Sequence, residues 1–219
     1  KARLPETTPR VVLVEYPGKP QTVLAVGQPT VPRASPDYLS LELLNAVLGG
    51  SFTSRLNQNL REQHGYTYGA RSHFFFGEGP SLFLASTSVK TDVTGAALGE
   101  MMGELERVVA QPLSPVELQK GKALLAYELI RDLERATSAA EAMAQIFIYG
   151  LPLEEYRRFV PNLKSLTVEE IQAAAKRTLT PARLTIAVAG DASKVLPQLE
   201  QLKLPAPQRR DPDGVLLQK

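Results

Sequence analysis

The 219-residue chain is 43% hydrophobic and 22% charged, the composition of a globular protein that can bury a core without staples. A formal net charge of +2 leaves no electrostatic footprint for nucleic acid or a membrane surface, and no apolar run approaches the ~20 residues of a membrane helix. The lack of cysteine excludes disulfides, thiolate metal sites and a cysteine nucleophile.

Residues 1–9, KARLPETTP, read as a linker or exposed lead-in. The chain opens on Lys1 rather than Met, so a preceding segment is expected. VVLVEY and QTVLAVGQ are β-branched runs, two strands joined by a Pro-Gly turn in PGKP. PTVPRASP reads as a loop. From Asp37 the period changes. Leu39, Leu41, Leu43, Leu44, Val47 and Leu48 suit a mostly buried helix that Asp37 starts and Gly49–Gly50 end. SFTSRLNQNLREQHG reads as a second helix, capped by Thr53 or Ser54 and terminated by Gly65. YTYGARSHFFF, a Gly-Glu-Gly-Pro turn and SLFLASTSV then make a hairpin.

The second half is mainly helical. TDVTGAALGEMMGELERVVAQ is amphipathic. The next helix opens with Ser114, Pro115 and Glu117, a capping box with Pro at the first helical position. SAAEAMAQIFIYG is a helix ended by Gly150. TVEEIQAAAKRTL carries a second capping box, Thr167 with Glu170. RLTIAVAGD is a late strand and ASKVLPQLEQL a short last helix. Residues 10–203 thus form the domain, and residues 204–219 a proline-rich tail with little periodicity. Strands, a hairpin, a helical block and one more strand predict an α+β fold, an antiparallel or mixed sheet covered by helices, rather than a doubly wound parallel sheet.

Signals for chemistry concentrate in LREQHGYTYGARSHFFF, Leu60 to Phe76. Both histidines, His64 and His73, lie there, yet neither sits in a His-x-x-Glu-His run, and no carboxylate is placed by sequence to complete a metal set. His64 falls in a last helical turn, where an imidazole suits the helix dipole. No Gly-x-Ser-x-Gly elbow is present, and GGSFTS lacks the Lys-Ser/Thr ending of a phosphate loop. Arg61 and the tyrosines remain. Tyr66 and Tyr68 are two apart on the expected strand and so point to one side. Arg61 precedes them by one helix end and a turn. A guanidinium and a phenol facing one cleft can bind a carbonyl oxygen and a developing oxyanion. The plainer alternative, packing tyrosines and an exposed helix-end arginine, fits the spacing as well.

LGGSFTSRLNQNLREQHGYTYGARS resembles the hallmark segment in the second half of the pitrilysin/insulinase family of zinc metallopeptidases, which includes the processing peptidases. LSPVELQKGKALLAYELIRDLE and IYGLPLEEYRRFVPNLKSLTVEEIQAAAKRTLTPARLTIAVAGD are similar to two later stretches of that half. The resemblance implies a half-unit of a clamshell built from two homologous α+β sandwiches. It implies that the other half carries an inverted zinc motif, His-x-x-Glu-His, and that this half lends an Arg and a Tyr across the cleft. The matching positions are Arg61, holding a substrate carbonyl, and Tyr68, hydrogen bonding to the oxyanion, with Tyr66 as the alternative tyrosine. No His-x-x-Glu-His occurs here. The chain alone is therefore expected to be inactive and to bind no metal or cofactor itself, with zinc in a homologous partner half from the same precursor or a separate subunit. Peptides are the implied substrates, and a bacterial source, periplasmic or cytoplasmic, the implied setting. The competing expectation is a non-enzymatic scaffold subunit of the same fold.

Overall fold

The computed structural model describes residues 9–79 and 81–217. The lead-in expected at 1–9 therefore falls outside the described residues except for Pro9. In chain order the strands are β1 (Arg10–Glu15), β2 (Gln21–Thr30), β3 (Thr67–Phe75), β4 (Ser81–Lys90), β5 (Thr185–Gly190) and β6 (Gln208–Arg210). The helices are α1 (Tyr38–Leu48), α2 (Arg55–Asn57), α3 (Thr94–Ala110), α4 (Pro115–Glu134), α5 (Ala136–Ile148), α6 (Glu155–Ser165), α7 (Val168–Thr178) and α8 (Ala192–Glu200). A π-helical turn, Gln58–Gln63, continues α2.

The strands form one mixed sheet in the order β3-β4-β2-β5-β1-β6. The hairpin β3–β4 and the pairs β4–β2 and β2–β5 are antiparallel, whereas β5–β1 and β1–β6 are parallel. The period-2 alternation of each strand gives the sheet two unlike faces. One face buries Leu13, Leu24, Val26, Phe83 and Val188 against α1, α3 and α7, whose Leu41, Leu44, Leu98, Met101 and Ile171 are fully buried. The other face is only partly covered. Its rows run across the strands as Val12–Ala187–Ala25–Ser86–Arg71 and Pro29–Leu82–Phe75, and Leu82 and Phe75 are exposed.

Four features go beyond or against the local pattern. First, β1 and β2 are joined by the Pro17–Gly18 turn as expected, but β5 lies between them in the sheet. Asp191, just after β5, accepts the Gly18 N–H at 2.9 Å and ties the turn to the inserted strand. Second, the segment after Ser54 is not one regular α-helix but α2 followed by the π-turn. Ser54 Oγ accepts from the Asn57 side chain rather than from a backbone N–H. Third, α6 forms where interior Pro161 obscures the helical pattern. Fourth, the aperiodic tail contributes β6 at the sheet edge, three residues being too few to show a period. Both capping boxes form as expected, and Gly65 and Gly150 take the left-handed conformation, φ 63° and 60°, that ends their helices.

The end of α1 is pressed against the edge strand. Ser72 N–H donates to the Gly49 carbonyl at 3.3 Å, and a Cβ on Gly49 would stand 2.4 Å from the Ser72 nitrogen. By contrast, a Cβ on Gly103, in mid-α3, would meet no atom within 4 Å. Gly49→Ala is expected to destabilise the chain by about 2–3 kcal/mol through overpacking. Gly103→Ala should stabilise it by about 0.5–1 kcal/mol by removing glycine from a helix interior. Urea denaturation of both variants checks the opposite signs.

Candidate functional site

The segment from Gly49 to Phe75 builds the site. α1 ends at Gly49, and the loop after it passes along the outer edge of β3. Asn57 fastens it there. Its Oδ1 accepts the Ala70 N–H at 2.9 Å, while its Nδ2 donates to the Ser51 carbonyl and to Ser54 Oγ. Ser72 Oγ donates to Asn45 Oδ1 at 2.7 Å and adds a second tie between β3 and α1. Arg55 holds the loop to α4 through a two-pronged bond to Glu117, 2.6 and 2.9 Å. The Arg55 guanidinium, and then the Ser114 cap, hold the Glu117 carboxyl well below the usual carboxylate range, at about 2.

The backbone then widens. His64 N–H reaches the Asn59 carbonyl at 3.1 Å, an i→i+5 bond, and such π-turns recur at functional sites. Arg61 lies in this turn. Its guanidinium lies over the Phe52 ring, 4.2 Å from the centroid. Its Nη1 lies 3.5 Å from Glu62 Oε1 but is buried without a hydrogen-bond acceptor among the described residues.

Gly65 turns the chain into β3, where a bulge comes at once. Thr67 pairs with Val89 and Ala70 with Thr87, so three steps on β3 match two on β4. The extra residue is held by side chains. Thr67 Oγ1 donates to the Ser88 carbonyl at 2.8 Å, and Thr87 Oγ1 reaches the Gly69 carbonyl at 3.0 Å. A bulge re-aims side chains, and here it cancels the simple alternation expected to put Tyr66 and Tyr68 on one side. Tyr66 is partly buried against the core and stacks on His64, centroids 4.9 Å apart. Tyr68 is 94% exposed.

Tyr68 borders a cavity of about 810 Å³ between β3 and the helices α1 and α4. Phe52, Phe75, Leu124 and Leu125 give it an apolar wall, while Glu42 and Glu128 supply carboxylates. Phe52 therefore joins the two predicted residues, bordering the cavity with Tyr68 and carrying Arg61 on its ring. Arg61 itself is not among the lining residues. Pattern reading passed over Phe52 and Glu42. The available signal for Glu42 was a charge amid the apolar run of α1. Burial pushes its carboxyl up to about 7, partly opposed by Arg33 and reinforced by Glu128.

A zinc ion finds no fitting ligand set here. His64 lies 3.8 Å from Glu100 and against the Tyr66 ring, His73 packs edge-on to Phe75, and no three His, Cys, Asp or Glu side chains converge among the described residues. Nor, among those residues, is any helix long and apolar enough to cross a membrane.

The model of the peptidase M16 inactive domain matches residues 1–125, more than half the chain. The chain belongs to the M16, or pitrilysin, peptidase family and is an inactive domain of it. It is 28% identical over 181 residues to an uncharacterized zinc protease of Mycobacterium tuberculosis, covering 79% of this chain and 39% of that protein. The crystal structure of a peptidase M16 inactive domain from Pseudomonas fluorescens matches with a TM-score of 0.78 and 27% identity, over 84% of this chain and 44% of that one. A protease from Helicobacter pylori shares the fold, with a TM-score of 0.77 at 20% identity over the same shares, 84% and 44%. The α+β half-unit expected from the sequence is the fold these proteins have. The chain spans about two fifths of the relatives' length.

The raised Glu42 gives a pH signature. A carboxyl whose folded pKa exceeds its unfolded value binds its proton more tightly when folded. Stability is then highest below about 4.5 and falls as pH rises through about 7. Glu42→Gln is expected to remove this fall, stabilising the chain at pH 8 relative to wild type by on the order of 3 kcal/mol and much less at pH 4.5. Denaturation midpoints at the two pH values check it.

Proposed function

We propose that this chain is the non-zinc half of a zinc endopeptidase, binding peptide substrate and lending Arg61 and Tyr68 to the transition state. The observation that carries the reading is the placement of Tyr68. A large side chain left 94% exposed on a threonine-braced bulge serves no packing role, and it stands at the rim of a cleft with an apolar wall. A phenol there can donate to an oxyanion. Arg61 supports the reading as a cation beside the cleft, its Nη1 lacking a hydrogen-bond acceptor among the described residues; holding a substrate carbonyl requires its guanidinium to turn toward the cavity that Phe52 borders. The ring of Phe52 keeps the guanidinium in place by a cation–π contact. Tyr66, stacked on His64 and partly in the core, fits this role less well.

In this reading the zinc and the water it activates belong to the homologous half, which this chain does not contain. The residues of this chain orient the scissile carbonyl, supply fixed donors where negative charge develops, and line the substrate cleft with apolar surface. The relatives are about twice this length, which leaves room for that second half in one polypeptide. The lack of an apolar spanning helix among the described residues and the bacterial relatives suit a bacterial peptidase working outside the bilayer.

In the enzyme assembled with its zinc-bearing half, Tyr68→Phe is expected to lower kcat for a peptide tenfold or more with little change in KM, as loss of one oxyanion donor does. Arg61→Ala should lower kcat/KM by a similar factor. Steady-state cleavage assays check both, and wild-type rates in both variants would overturn the assignment.

A further inference from the structure

The helix α3 presents a polar stripe to the π-turn where an apolar contact would suffice for packing. Glu100 and Glu104 are one helical turn apart and face the same neighbour. The Asn59 amide bridges them, donating to Glu100 Oε2 at 2.9 Å and to Glu104 Oε1 at 2.8 Å. Arg107 also donates to Glu104 Oε1. Glu104 is 2% exposed and Asn59 5%. Asn59 Oδ1, Glu104 Oε2 and Arg55 Nη1 have no hydrogen-bond partner among the described residues, and their side chains line a small cavity of about 220 Å³. Burying such a cluster carries a desolvation cost that a hydrophobic contact would avoid.

What an apolar contact cannot do is select a register. The Asn59 carbonyl accepts a wide i→i+5 bond from His64 N–H, which also reaches the Arg61 carbonyl, so the clamped residue takes part directly in the π-turn's hydrogen bonding. A relaxation to regular α-helix removes one residue of slack and rotates the residues C-terminal to it by about 100°. Arg61, two positions after Asn59, now leaves the turn toward Phe52. We propose that Asn59 and Glu104 are positioning residues: their buried amide–carboxylate clamp holds the π register and thereby the direction of the Arg61 guanidinium. This inference rests on the role proposed above for Arg61.

The test is a donor–acceptor swap in the chain paired with its zinc-bearing half. Asn59→Asp puts a third carboxylate against Glu100 and Glu104 and releases the clamp, and adding Glu104→Gln returns a donor. Asn59→Asp is expected to lower kcat/KM for a peptide at least tenfold, and N59D/E104Q to recover most of that loss. In an Arg61→Ala background Asn59→Asp should cost less than twofold, because the clamp acts through Arg61. In this chain alone, amide exchange over residues 60–65 should quicken about tenfold in Asn59→Asp and slow again in the double variant. Should Asn59→Asp fail to fold, N59L/E104L keeps an apolar contact without the clamp. It is expected to fold and to show the same loss, and wild-type activity in it overturns the proposal. Equal losses with and without Arg61 make the clamp merely structural and overturn the proposal while the role of Arg61 stands. An Arg61→Ala enzyme of wild-type activity removes the role of Arg61 itself, and the positioning role with it.

Discussion

The grip on the outer edge of β3 is the constraint on which the rest of the site depends. Two outward N–H groups of that strand, on Ala70 and Ser72, donate to Asn57 Oδ1 and to the Gly49 carbonyl. An exposed sheet edge would leave such groups to water or to another chain. Here they recruit the loop after α1. Once the loop lies on the edge, α2 and the π-turn have one place to go, the bulge of β3 sits beneath them, and the cavity has its wall. Gly49 is the residue at which this approach allows no side chain.

The charges inside the helical layer follow a common plan of close pairing. Arg33 is 4% exposed, bonded to Glu155 at 2.9 Å and laid over the Tyr38 ring, so one cation joins the loop before α1 to α6. Glu117 caps α4 through Ser114 and receives both prongs of Arg55. Pairs of this kind contribute modestly to stability after desolvation, whereas removing one member leaves an uncompensated charge. Their value is geometric, since each fixes the relation of two elements whose apolar contacts would tolerate sliding. Glu42 breaks the plan. It has no carboxylate-to-cation bond at the cavity wall among the described residues, and burial raises its proton affinity, with Glu128 adding to the effect and Arg33 opposing it.

Most of the architecture was legible because it rests on strong local signals. Two capping boxes, the terminating glycines at 65 and 150 and the alternation of β3 and β4 each name their element by a physical mechanism. The parts that were not legible depend on distant partners or on too few residues. Nothing near Val11 or Val23 announces that β5, some 160 residues on, will come between their strands. β6 has three residues, and the helix containing Pro161 hides behind its own breaker. At the site, the motif points to Arg61 and Tyr68 as candidates. The bulge that separates Tyr68 from Tyr66 arises from Thr67 and Thr87 on two strands, and the ring beneath Arg61 comes from Phe52 in the preceding loop. Both are tertiary facts without a local period.

The sheet ends differently on its two sides, and this governs how the domain meets other chains. At one edge the loop after α1 already occupies the outward groups of Ala70 and Ser72. At the other, β6 is a three-residue strand carrying Arg209 and Arg210, with Arg209 bound to Glu15, and short charged strands are poor templates for pairing. Copies of the domain are thereby discouraged from zipping edge to edge into extended sheets. The half-covered face mixes exposed Leu82 and Phe75 with Ser86 and Arg71. The two edges thus carry their protection in the covalent chain itself, one through a bound loop and one through brevity and charge, so neither depends on another molecule to satisfy it.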